Sequence, residues 1–287
     1  MKFLYLLLFL CCTTVIFAQE EIEEEEIEVM DETTPVHSFL RVSPSLFLVN
    51  SSPSTIDYEF WDHDLSYPDS ISGSRDIDNM WTYGLNFGFG RLIGKSTVIN
   101  LDNHIGWGSN GKFFNYVGQL GVGREFRFGE FYIQPILSMG FVSSIYNLGT
   151  HPSNNKGYFQ INDTYINNQL TARLKSRAVT LSPAVLLEYS IRRNISVFGK
   201  ISIHYSFWET NYLSFSGETD EVDEDGNAVT ASERIDFNHN RLGFYINNKK
   251  IEEKRSPYIP YNFNSLLIQI GVSFAFGNEV YDEFEEE

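Results

Sequence analysis

Cysteine is almost absent: the 287 residues hold two, Cys11 and Cys12, both inside the first apolar run. A chain that loses that run has neither disulfides nor thiol chemistry. Beyond that run no stretch supplies the roughly 20 continuous apolar residues that a spanning helix needs. Bases are scarce too, 21 Lys and Arg against 38 Asp and Glu for a net charge of -17. That balance excludes the clustered basic footprint of a nucleic-acid-binding protein. No Cys/His metal cluster, phosphate-cradling glycine loop or nucleotide fingerprint occurs, so no cofactor is expected.

The acidity is local. Glu20 to Glu32 holds nine acids, Asn278 to Glu287 holds six, and neither stretch contains a base; with these and Lys2 set aside, 23 acids face 20 bases. Both stretches read as solvated tails, because dense like charge cannot bury a core. Before the first tail, Lys2 precedes an apolar run from Phe3 that ends at the small residue Ala18, followed by Gln19. This is the pattern of a cleavable secretory signal. The expected division is a signal over 1–18, an acidic tail over 19–37, one folded domain over 38–277 and a second acidic tail over 278–287.

What is abundant in the folded domain is alternation with period two. In the last such stretch Leu266, Ile268, Ile270, Val272, Phe274 and Phe276 share one face, opposite Leu267, Gln269, Gly271, Ser273 and Ala275. A soluble sandwich places its charged residues on the outer face; here the second face is mostly small or amide-bearing, as suits a strand with lipid on one side. Eight such strands are expected, beginning near Leu40, Trp81, Ile99, Phe114, Phe131, Val179, Ile195 and Leu266. Pro44, Pro135 and Pro183 fall on outward faces, and since proline lacks a ladder donor each is a candidate bulge.

Connection lengths follow the same logic. Ser51 to Asn79, Leu148 to Lys175 and Gly217 to Asn262 are long, whereas the connections around Gly94-Lys95, Ser109 to Gly111, Gly129-Glu130 and Arg192 to Asn194 are short. All long ones are odd in order, the alternation of external loops and internal turns in a bacterial barrel. Trp81 and Trp107 then fall at one rim and Phe126, Phe128, Phe131, Tyr189, Phe274 and Phe276 at the other, as two membrane girdles require.

On the Phe17-Ala18-Gln19 signal end, the glycine-punctuated strand Trp81 to Gly90 and the closing strand Leu266 to Phe276, the chain resembles the small eight-stranded outer-membrane barrels of the OmpA, OmpX and OmpW type, in particular those of Bacteroidota. The resemblance covers Ser38 to Gly277. It implies an all-β, antiparallel up-and-down transmembrane barrel in the outer membrane of a Gram-negative bacterium, surrounded by outer-membrane lipids and lipopolysaccharide. Where such barrels commonly finish on an aromatic residue, eleven more residues follow Phe276 here.

The inward face would carry Arg41, Asp102, His104, Glu125, Arg127, Glu188, Lys200 and His204 among amides. In a barrel this narrow those charges are expected to pair and fill the interior. His204-Tyr205-Ser206 resembles the His-aromatic-Ser step of the lipid A deacylases, which makes His204 and Ser206 the candidates for catalysis. Alternation would point both inward, away from lipid, so no catalytic site is expected. Asp223 and Asp225 approximate a calcium loop, but Glu221 and Ser232 occupy its first and twelfth positions. Asp225-Gly226-Asn227 reads instead as a hairpin turn.

The expected function is therefore non-enzymatic: a barrel acting through its external loops in binding, adhesion, envelope integrity or uptake of small apolar molecules. The alternatives are a lipid-modifying hydrolase and an accessory subunit of a secretion or import complex, with a periplasmic or outer-membrane protein partner held by the tails or loops.

Overall fold

The computed structural model describes residues 38–276 apart from 52, 62–69, 78–79, 95, 109–110, 153–156, 193 and 253–260. The signal run and both acidic tails lie outside the described residues. Every regular element is a strand: β1 (Ser38–Ser51), β2 (Ser54–Trp61), β3 (Ser70–Ile77), β4 (Trp81–Ile93), β5 (Thr97–Gly108), β6 (Phe113–Arg124), β7 (Phe126–Phe128), β8 (Phe131–Pro152), β9 (Tyr158–Ile161), β10 (Thr164–Arg192), β11 (Ile195–Val222), β12 (Ala228–Ile235), β13 (Leu242–Ile246), β14 (Lys249–Lys250) and β15 (Tyr261–Phe276). Among the described residues no helix is long and apolar enough to cross a membrane.

Eight strands pair in a closed antiparallel circle, β1-β4-β5-β6-β8-β10-β11-β15 and back to β1. One rung shows how it closes. Ile201 on β11 faces Ile268, which faces Leu46, then Tyr83, Trp107, Phe114, Ile145, Lys175 and finally Tyr212, again on β11. The circuit returns to its strand at a different height, the stagger that tilted strands around a cylinder require. The ring is uneven, with 12 residues in β6 and 29 in β10.

Its strands form where the alternation places them, but the prolines do not shift them. The β8–β10 ladder carries Pro183 opposite Leu137 and Val185 opposite Pro135 in unbroken register. Register shifts fall at other positions, one of them mid-ladder: Val179 faces Trp208 while Thr180 faces Ser206, so β11 bulges at Phe207. At one end of the ring the turns are tight. Phe128 and Phe131 pair across Gly129-Glu130, where Gly129 has φ 64, a conformation glycine adopts without a Cβ penalty.

At the other end the long connections are not loops. They carry β2 and β3, β9, and β12 to β14, while β8, β10 and β11 continue past the ring to meet them. One part is a 4-stranded sheet in the order β14-β13-β2-β3. Its Ile246 and Lys249 pair across Asn247 and Asn248, whose φ of 48 and 63 suit a two-residue hairpin turn. Together these elements form a cap with an apolar core, in which Phe60 packs 4.9 Å from Phe215 and Phe237 stacks 4.6 Å from Phe244.

That core runs without a break from the cap into the ring, through Phe47, Val117, Val142, Ala178 and Leu267. Apolar side chains also fill the turn end, in two smaller clusters around Phe198 and Val98. The interior is therefore layered, apolar at both ends and polar between, rather than polar throughout as the sequence suggests.

Candidate functional site

The polar layer is built by inward positions of all eight ring strands, β4 supplying Asn86 and β10 Ser182. Period two alone puts Arg41, Asn100, Asp102, His104, Gln119, Gln134, Lys200, His204 and Gln269 inside, and all of them are buried. Arg41 donates to Asn100 Oδ1 at 3.1 Å, Gln134 Oε1 at 3.0 Å and Glu188 Oε2 at 2.8 Å, with its guanidinium 4.0 Å from the Phe39 ring centre. Lys200 Nζ donates to Asp102 Oδ2 at 2.6 Å. Gln134 passes the first network on to Glu125 at 2.7 Å, and Glu125 accepts from Arg127 at 2.8 Å near the turn end. The structure thus sets three bases against three acids, one to one. The Arg41–Glu188 and Lys200–Asp102 pairs are enclosed, and each offsets a desolvation cost of several kcal/mol per ion, whereas Arg127, expected inside, is 52% exposed because the three-residue β7 carries it at the rim.

Above these pairs Phe47 lies between two histidines, 5.8 Å from His104 and 5.4 Å from His204. His104 Nδ1 bonds Ser45 Oγ at 2.8 Å, and His204 Nδ1 is held by Ser182 Oγ at 3.1 Å and Gln119 Nε2 at 3.3 Å. His204 therefore makes no bond to Ser206. Ser206 keeps the ladder register opposite Thr180, one residue before the bulge at Phe207, and its hydroxyl donates to Glu209 Oε1 at 2.5 Å. With His204 held by Ser182 and Gln119, and Ser206 by Glu209, the two side chains form no base–nucleophile pair. Cells overproducing the protein or its Ser206→Ala variant should yield identical lipid A by mass spectrometry; loss of an acyl chain that depends on Ser206 would contradict this.

Asp223 and Asp225 sit in the β11–β12 turn. The Asp223 carboxylate accepts the backbone amides of Asn227 at 2.8 Å and Asp225 at 3.0 Å, which hold it below the usual carboxylate range. Its oxygens serve the turn, and among the described residues no group of three or more acids, histidines or cysteines could hold a metal.

The outer face of the ring is the inverse of a soluble surface. Leu85, Phe87, Phe89, Leu101, Leu120, Val122, Leu137, Met139, Leu187, Ile201 and Ile270 are all exposed. Trp81 and Trp107 lie toward the capped end, Trp81 5.8 Å from Tyr83 and Trp107 6.0 Å from Phe114. At the turn end Phe131 packs 4.8 Å from Tyr189 and Phe276 6.2 Å from Phe89, with Phe126, Phe128 and Phe274 on the same outward face.

Sequence reasoning missed the joint between cap and ring. Tyr58 of β2 bonds His151 Nε2 of β8 at 2.5 Å, and Arg75 of β3 donates to the Leu148 carbonyl at 2.6 Å. Gly149, at φ 143, leaves room for Arg75, whose Nη2 would stand 3.1 Å from a Cβ there. Burial pushes the Tyr58 hydroxyl up to about 12, against the opposing Arg75 charge, so it remains a donor. Burial and then Arg75 lower His151, keeping it a neutral acceptor. Because the docked pKa is the lower one, the joint is at full strength above about pH 6.5 and weakens as pH falls below it. Hydrogen exchange of β2 and β3, corrected for intrinsic rates, should be faster at pH 5 than at pH 7.5 in the protein and pH-independent in His151→Gln. Equal pH dependence in both would contradict the assignment.

No protein-family model matches the chain, and no curated protein matches it in sequence. Among solved structures it is similar to the outer membrane protein OprG from Pseudomonas aeruginosa, with a TM-score of 0.43 and 10% identity over 85% of this chain and 98% of that one. A major outer membrane protein from Thermus thermophilus gives 0.37 and 12%, over 82% and 99%. CarO of Acinetobacter baumannii gives 0.30 and 12%, over 78% and 98%.

Proposed function

We propose that this chain is an exported, non-enzymatic transmembrane β-barrel of a Gram-negative outer membrane, sealed to solutes and presenting a folded external cap. The observation that carries it is the inverted patterning of a closed ring. Large apolar residues cover the outside, while ion pairs and amides fill the middle of the inside. In water such an exterior would be an aggregation hazard, whereas a lipid bilayer demands it and also demands that no sheet edge remain open.

The tight turns then lie on the periplasmic side and the cap outside the cell. The cap is where the barrel meets other molecules, because it is the part built to stand in water with a packed core beneath it. This favours binding or adhesion over conduction, since aromatic side chains such as Phe47 and Phe263 are fully buried along the axis that a solute would follow.

Planar bilayer recordings of the reconstituted protein test the sealed interior. Rare, small openings at most are expected. Stable, voltage-independent conductance of porin size would overturn the reading and move transport to its head.

A further inference from the structure

One strand breaks the apolar exterior at a defined height. Along β10 the outward positions run Tyr189, Leu187, Val185 and Leu181 to Val179, and the next three are Arg177, Lys175 and Arg173. Below them the rung through Val179 is flanked by exposed aromatics, Phe141 on β8 and Trp208 on β11. From Tyr189 to Val179 the strand advances about 33 Å at about 3.3 Å per residue. Tilted by about 40°, that covers about 25 Å, the height of an outer-membrane barrel's apolar band. The three cations thus begin where the band ends.

Among the described residues no carboxylate pairs with Arg173, Lys175 or Arg177; their cross-strand neighbours are Asn147, Ile145 and Ser143 on β8 and Ser214, Tyr212 and Thr210 on β11. Arg173 donates to Ser216 Oγ at 2.9 Å and Arg177 lies 5.8 Å from the Tyr212 ring centre, so two of the side chains are braced. Arg234, the next cation across, is already held by Asp236 at 3.0 Å. Alternate positions on one strand face are about 6.6 Å apart, so three like charges repel one another at a surface next to lipid. The arrangement is unfavourable by itself and favourable once an anion bridges it.

We infer that Arg173, Lys175 and Arg177 form a binding site for the phosphorylated headgroup of an outer-leaflet glycolipid, whose acyl chains lie against Val179, Leu181 and Phe141. This rests on the membrane-barrel reading above. Guanidinium groups suit the bidentate recognition of phosphate oxygens, and the apolar rung directly beneath accounts for an amphiphile rather than a soluble phosphate.

The test measures binding of diphosphoryl lipid A in detergent micelles to the purified protein, to Arg173→Gln/Lys175→Gln/Arg177→Gln, and to an Arg91→Gln/Arg192→Gln control at the turn end. The triple variant should bind about 10- to 100-fold more weakly, given the strength of charge-assisted bonds. The control should bind like the parent, a neutral galactolipid should not bind, and free inorganic phosphate should not compete at millimolar concentration. Heat-dependent migration of all three proteins in gels reports barrel formation in the same samples. A folded triple variant that keeps parental affinity, equal binding of the neutral lipid, or displacement by inorganic phosphate overturns the site while the barrel stands. A parent protein that shows no heat-modifiable, membrane-extracted form overturns the barrel, and the site with it.

Discussion

Ile270→Arg should prevent stable assembly in the outer membrane, and Leu120→Arg should do the same, whereas Val222→Arg should be tolerated. The three residues are exposed to similar extents, 69%, 59% and 66%. A soluble reading of the fold therefore expects similar outcomes. A membrane reading does not, because Ile270 and Leu120 lie mid-strand on the ring exterior while Val222 ends β11 at the tip of a cap hairpin. An arginine at the bilayer midplane costs about 2–4 kcal/mol in a transmembrane barrel, against little outside it. The readout is the fraction of protein recovered in heat-modifiable form from outer membranes. Glycine positions on the inner face would make poor controls: a Cβ at Gly121 would stand 2.2 Å from Ser138 Oγ, so even a small side chain there disturbs packing.

The second large effect is expected inside. Removing one partner of the Lys200–Asp102 pair strands the other charge between apolar layers, and Lys200→Met or Asp102→Leu alone should cost about 3–5 kcal/mol. The double variant should cost clearly less than the sum, because no buried charge is left without its partner. Urea unfolding in lipid vesicles, read as a double-mutant cycle, measures the coupling. Additive losses would mean that water reaches both groups and that the interior is not sealed.

Much of the ring was legible in the sequence for a simple reason: each of its strands alternates long enough that a one-residue slip would exchange its two faces. The pairing of Arg41 and Lys200 with acids follows from the same alternation, since a narrow interior leaves such residues few other partners; Arg127 sits at the rim, where alternation alone does not place it inside. The cap was not legible as structure. Ile56, Tyr58 and Phe60 alternate, as do Leu242, Phe244 and Ile246, but each run is too short to stand apart from a loop until a second sheet supplies the surface it packs on. The bulge at Phe207 has no local signal either, because it is set by which residue of β10 stands opposite. The apolar layers at Phe39, Phe47, Phe198 and Leu267 have no signature along any one strand, because layering appears only when strands are placed side by side. The cations above Val179 broke the apolar alternation in plain view, but their meaning depends on knowing where the apolar band stops.

The most direct test of a membrane-spanning ring with an external cap uses the scarcity of cysteine. Single cysteines at Asp225 in the cap hairpin, Glu130 in a tight turn and Ile270 on the ring exterior are exposed to a membrane-impermeant maleimide in intact cells. The account predicts labelling of Asp225→Cys in intact cells, of Glu130→Cys only after the outer membrane is permeabilised, and of Ile270→Cys in neither condition while the protein remains folded. Labelling of Ile270→Cys in the folded protein, or equal labelling of Asp225→Cys and Glu130→Cys in intact cells, would contradict it.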